Sequence, residues 1–295
     1  MEIDLILPYV NPTREKWQEL YMDTCLKQGR MISEDERYRE LFPLKYLLRA
    51  IDKNAPFIRT LYLVVQERDQ VPEYVKESEN LKIIEHKDII PEELLPTYNS
   101  GTIEMYVYKI PNLSEHFIYI NDDMYPIKKL WATDFFDGNK PRINIIAKRD
   151  APTVYRHMLK SSENLINLYL CRSCSKPDVF LRDGHSWTPM IKSHWEILHK
   201  NAGDIIKKRC STFREAKNIV QQVVTYYEYF TSNLSPRLIN LGYCELSKDI
   251  EIIKSKFNCD ILCINDVRTA KEDNIPLIKS FLKDLFPEKS KKYEK

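Results

Sequence analysis

Between residues 3 and 127 the chain alternates short apolar runs with stretches of helical periodicity, and that rhythm limits the fold more than any other feature. "IDLILPYV", 3 to 10, is nearly all apolar, the pattern of a strand covered on both faces. "LFPLKYLLRAIDKNAP", 41 to 56, carries apolar residues at helical spacing and stops at Asn54 and Pro56, because proline disfavours helix in the residue before it. "IRTLYLVVQ", 58 to 66, and "LKIIEH", 81 to 86, read as the next two strands. "NSGTIEMYVYKIP", 99 to 111, reads as a helix capped by Asn99 or Ser100, and "HFIYIN", 116 to 121, as a fourth strand. This alternation predicts an α/β fold with a mostly parallel, Rossmann-like sheet and helices on both faces.

Regularity declines further on. From about 130 to 182 the clearest signals are "RINIIA" as a strand and 155 to 170 as a helix. Helical patterns follow at about 188 to 200 and 212 to 231. "DILCIND", 260 to 266, reads as another buried strand ending in a carboxylate, and "FLKDLFPEKSKKYEK" as a helix and a charged, solvated tail. We expect one catalytic domain over 1 to 295, with 130 to 182 as a variable insertion and the later helices as a helical C-terminal part.

A formal charge of +2 argues against a nucleic-acid binder, and no apolar run approaches the ~18 to 20 residues of a membrane helix. The opening "MEID" lacks the basic start of a signal peptide, so a cytoplasmic protein is expected. Seven cysteines, an odd number, favour free thiols. The lone "CRSC" pair, Cys171 and Cys174, has no second pair at zinc-ribbon spacing.

The chemistry centres on "FIYINDDMYPI", 117 to 127, where Asp122 and Asp123 follow a strand signal. In parallel sheets ligands gather beyond the carboxyl ends of the strands, which is where this pair falls. Three readings stand at this point: a solvated turn, a general acid and base pair, or ligands for a divalent metal, since Mg²⁺ binds through one or two carboxylates plus substrate phosphates.

"LPTYNSGTIEMYVYKIPNLSEHFIYINDDMYPI", 95 to 127, closely resembles the second conserved region of the Stealth family of sugar-1-phosphate transferases. "IDLILPYVNPTREKW", 3 to 17, is similar to the first region, with Asn11 where an acidic residue is usual. "YLLRAIDKNAPFIRTLYLVV", 46 to 65, continues the second region with Arg49 in place and Pro43 ahead of it at an acidic position. "GHSWTPMIKSHWEIL", 184 to 198, resembles the third, with His185 at the motif histidine, and "STFREAKNI", 211 to 219, follows with Arg214. The last stretches, from "ILCINDVRTAKEDN" onward, look like the fourth.

The resemblance implies a glycosyltransferase-A-like sheet. It also implies transfer of a sugar-1-phosphate from a nucleotide diphosphate-sugar, with a UDP-sugar expected, to a glycan hydroxyl, with release of the nucleoside monophosphate. Such chemistry asks the protein for positioning and charge stabilisation. On this reading Asp122 and Asp123 hold Mg²⁺ (or Mn²⁺) and the diphosphate, with Asp266 a further ligand. Asn121, Asn265 and Arg49 contact substrate, His185 is the general base, and Arg214 clamps a phosphate oxygen. Asn99, Ser100 and Glu104 open a helix whose free N–H groups could meet a phosphate. The acceptor would be a growing glycan, free or lipid-linked, with the Lys-rich tail resting on an anionic membrane. A glycosyltransferase that releases the diphosphate, or a non-catalytic glycan- or nucleotide-binding protein, are the competing readings.

Overall fold

The computed structural model describes residues 1–31, 38–144, 146–148, 153–170, 180–182, 185–237 and 239–295. Cys171 and Cys174 lie outside the described residues; the described cysteines are free thiols.

The central sheet has β1 (Ile3–Pro8), β2 (Ile58–Val65), β3 (Leu81–Glu85) and β4 (His116–Tyr119) running parallel. In space they lie in the order β4, β1, β2, β3. Three helices punctuate this half: α1 (Glu15–Lys27), α2 (Leu44–Asn54) and α3 (His86–Ile89). After α4 (Ser100–Glu104) and β4, the short strand β5 (Met124–Pro126) leaves for another sheet.

Residue alternation in the strands divides two cores. Leu5, Leu7, Leu61, Leu63 and Ile118 point into one, shared with α2; Ile6, Tyr62, Val64, Phe117 and Tyr119 point into the other. Helices thus cover both faces of a mostly parallel sheet, as the sequence pattern predicts. Asp4, inside β1, is fully buried and tolerable there because Arg59 grips both its oxygens at 2.8 and 2.6 Å and the Ser114 N–H donates to it at 2.7 Å.

The middle of the chain builds α5 (Ala132–Phe135), β6 (Phe136–Asp137), β7 (Lys140–Ile143), β8 (Ile146–Lys148), α6 (Val154–Tyr169) and β9 (Phe180–Arg182). Then the structure departs from the sequence reading. Thr188–Ile191, expected to start a helix, is β10, an edge strand antiparallel to β4, and the helix α7 spans Lys192–Arg209. Proline in a first helical turn and proline in an edge strand look alike in sequence, so Thr188 and Pro189 misled. Residues 212 to 221 are likewise not helix; α8 covers only Gln222–Phe230.

The remaining elements are β11 (Ser235–Pro236), β12 (Leu241–Glu245), α9 (Ile250–Lys254), β13 (Ile261–Asn265) and α10 (Asn274–Leu285). Strands β12, β13 and β5 form a three-stranded sheet whose apolar residues extend the α2 core. The charged tail is not a loose solvated end: Tyr293 is buried, and the backbone N–H of Lys76 donates to its carbonyl at 2.8 Å.

Candidate active site

Five strands deliver their carboxyl ends to one cavity of about 310 Å³. Tyr9 follows β1, Gln66 and Gln70 follow β2, His86 follows β3, Asn121 to Asp123 follow β4, and Asn265 and Asp266 end β13. Thr97, Tyr98, Ser100 and Arg214 form part of the lining. A small aromatic core of Trp17, Tyr21, Tyr98 and Phe213 ties α1 to these segments, with Tyr98 and Phe213 stacked at 5.4 Å.

The carboxylate pair lies in the lining, beyond the end of β4. Asp123 is half-buried; its Oδ2 accepts a bond from the Cys263 thiol at 3.3 Å, while its Oδ1 is buried with no partner among the described residues. Burial pushes Asp123 up to about 6. Asp122 reaches the cavity opening, yet close walls and then the Asp123 charge push it up to about 7. Asp122 and Asp123 sit in a turn, with Asp122 exposed, and an orphaned carboxylate oxygen beside a second carboxylate fits a hard divalent cation. Among the described residues no cluster of three or more His, Cys, Asp or Glu side chains could hold a metal by itself. A cation on Asp122 and Asp123 would therefore complete its shell with substrate oxygens.

These shifts carry a pH signature. Both carboxyls titrate higher in the fold than in the unfolded chain, so ionising them opposes folding: their contribution is full at low pH and lost as pH rises through about 6 to 7. A cation needs the ionised pair. We expect MgCl₂ to raise the melting temperature at pH 7.5 and not at pH 5, and the difference to vanish in Asp123→Asn. An equal gain at both pH values would overturn this.

Arg214 lines the same cavity, donating to Ser100 Oγ at 2.7 Å while its Nε is buried with no partner among the described residues. A guanidinium with capacity to spare suits a phosphate oxygen. The structure thus gathers Asp122, Asp123, Asn121, Ser100, Arg214, Asn265 and Asp266. It gives Asp266 another engagement: both its oxygens accept from Arg39, at 2.9 and 2.7 Å, so metal ligation would require that pair to open.

Three expected substrate contacts receive structural roles instead. Arg49 faces the C-terminal segment, forked onto Glu294 at 2.9 and 3.0 Å. Asn99 is completely buried; its amide donates to the Ser211 carbonyl and Asn218 Oδ1, and its Oδ1 takes the Gly101 N–H at 3.1 Å. The helix it caps has five residues, and the Asn99 carbonyl accepts from the Thr102 and Ile103 N–H groups, so the N–H groups of Gly101, Thr102 and Ile103 are used internally. Glu104 is buried and accepts from the Gln221 N–H at 2.8 Å; burial raises its pKa. The Asn99 network explains why 212 to 221 is a loop. Asn218 bonds the Arg209 carbonyl, Ser211 Oγ and the Glu215 N–H, and such local side-chain bonds compete with helix. Gly101 allows the close approach, since a Cβ there would lie 2.9 Å from the Ile219 carbonyl.

His185 is not in the cavity lining; its ring packs on Tyr243 at 4.6 Å. Tyr243 is in register with Cys263, the residue whose thiol reaches Asp123. His185 therefore stands on the β12 side of the carboxylates, away from β1 to β3. Tyr9, Arg39, Gln70 and His86, also in the lining, were not singled out in the sequence, where only position after a strand marks Tyr9, Gln70 and His86 and nothing marks Arg39, which lies between α1 and α2.

Residues 37–154 match the family model described as "Stealth protein CR2, conserved region 2". The chain is 28% identical to the capsular polysaccharide phosphotransferase WcwK of Streptococcus pneumoniae, covering 98% of both. It is 29% identical to an exopolysaccharide phosphotransferase of Lactiplantibacillus plantarum, over 98% of this chain and 95% of that one. With a capsular polysaccharide phosphotransferase of Haemophilus influenzae it shares 37% identity over 72% of this chain and 57% of that one.

Proposed function

Because the chain belongs to the Stealth protein family and is a transferase, we propose that it moves a sugar-1-phosphate from a nucleotide diphosphate-sugar to a hydroxyl of a capsular or cell-surface glycan. The acceptor oxygen bonds to phosphorus, the bond to the nucleoside monophosphate breaks, and the acceptor proton passes to a base. The observation that supports this best is the buried, unpartnered Asp123 oxygen beside Asp122 in a cavity that also holds Arg214.

Asp122 and Asp123 would hold Mg²⁺ or Mn²⁺, which supplies neutralisation of diphosphate charge. Arg214 orients a non-bridging phosphate oxygen through its fork, and Ser100 holds the guanidinium in place. Asn121 and Asn265, at the ends of β4 and β13, bind donor hydroxyls. His185 takes the acceptor proton, with the acceptor entering over Tyr243 from the β12 side. We read the protein as cytoplasmic, acting on a lipid-linked or free growing glycan; among the described residues no helix is long and apolar enough to cross a membrane.

The deciding assay incubates the protein with Mg²⁺, UDP-sugars and a glycan acceptor and identifies the released nucleotide. UMP is the expected product. UDP would mean attack at the anomeric carbon and an ordinary glycosyltransferase. In the same assay Arg214→Lys, which keeps charge but loses the fork, is expected to lower kcat by about a hundredfold; an unchanged kcat would remove Arg214 from the phosphate.

A further inference from the structure

The cavity extends well beyond the carboxylates. Along the carboxyl edge the order is β4, β1, β2, β3, so Asp122 and His86 follow strands three steps apart, about 14 Å at ~4.8 Å per strand. A lone phosphate cannot bridge that span, whereas an extended nucleoside diphosphate can.

The far end carries its own unsatisfied polar atoms. Gln70 is 1% exposed and His86 is 5% exposed. The Gln66 N–H donates to Gln70 Oε1 at 3.0 Å, which fixes the amide orientation and leaves Nε2 as a donor group; that Nε2 has no partner among the described residues. His86 Nδ1 is also buried, with no partner among the described residues. Desolvation lowers its pKa to about 4, so the imidazole is neutral at physiological pH and offers one donor and one acceptor. Leaving such groups without partners is costly, and their place in a cavity wall points to a ligand that completes them. That ligand is uncharged at this end and carries an acceptor beside a second polar atom. The aromatic residues Trp17 and Tyr98 in the lining suit a planar ring.

We propose that Gln70 and His86 form the base-reading end of the donor site, with the Gln70 amide donating to an acceptor on the nucleobase edge and His86 Nδ1 bonding the adjacent position. This rests on the sugar-nucleotide reading above. Phosphates lie at Asp122, Asp123 and Arg214, the ribose passes Tyr9 and Gln66, and base identity is set between β2 and β3.

The test measures binding of UDP, CDP, ADP, GDP and inorganic pyrophosphate to the full chain with Mg²⁺ by calorimetry. One diphosphate is expected to bind at least tenfold more tightly than the others and than pyrophosphate. Gln70→Glu keeps the acceptor for the Gln66 N–H but removes the donors, and His86→Phe keeps the ring. Each is expected to remove that preference by tenfold or more while pyrophosphate binding, which also reports the fold, stays unchanged. Base preference intact in both variants, no preference in the parent chain, or no nucleotide binding at all would each overturn the assignment. Base preference with release of UDP in the turnover assay would overturn the phosphotransfer reading and leave this one standing.

Discussion

Asp123→Asn is expected to lower turnover at least a thousandfold, about 4 kcal/mol of transition-state stabilisation, while leaving the protein at pH 7.5 at least as stable as the parent. The two readouts move apart for one reason. In the free protein the ionised Asp123 keeps one oxygen buried without a partner, and its neighbour carries like charge. Replacing it with a neutral amide of the same shape removes that cost. During transfer the same charge offsets the diphosphate, and the amide cannot. Asp122→Asn is expected to follow the same pattern, since burial and the Asp123 charge make its ionisation costly in the same way. Activity within tenfold of the parent, measured as nucleotide released under saturating donor, would remove these residues from the chemistry. Lost activity together with a fall in melting temperature of several degrees would make them structural.

How much of this could be read from sequence depends on whether the signal was local. Strands β1 to β4 were legible because burial on both faces imposes continuous apolar runs, and the position of Asp122 and Asp123 followed from strand polarity alone. The edge strand Thr188–Ile191 was not, because its partner β4 lies some seventy residues back and its own residues suit a helix start. Asn99 was singled out for the right location and the wrong task. Whether a buried amide meets substrate or a distant loop depends on Ser211 and Asn218, more than a hundred residues away. Gln70 and His86 escaped notice for the same reason: a polar residue after a strand is ordinary, and only its burial without a partner is informative.

Arg49 tests this distinction directly. Within α2 it reaches past its own helix to fork onto Glu294, 3% exposed, and donates to the carbonyls of Phe286 and Pro287 at 3.2 and 3.1 Å. Nearby, Ser290 Oγ donates to Asp52 on the same helix at 2.8 Å. The C-terminal segment is thereby bound to α2 by polar bonds as well as by Phe286 and Tyr293 in the core. Arg49→Met leaves the Glu294 carboxylate buried without its cation, a loss worth about 3 to 5 kcal/mol and roughly 6 to 10 °C of melting temperature in a chain of this size. The double variant Arg49→Met/Glu294→Leu is expected to recover much of that loss, because it removes both charges together. In both proteins the Michaelis constant for donor and the turnover per folded molecule should match the parent at a temperature where each stays folded. A raised Michaelis constant in the double variant would return Arg49 to the substrate site that its sequence context implied, since a repaired latch leaves only a missing substrate contact to explain it.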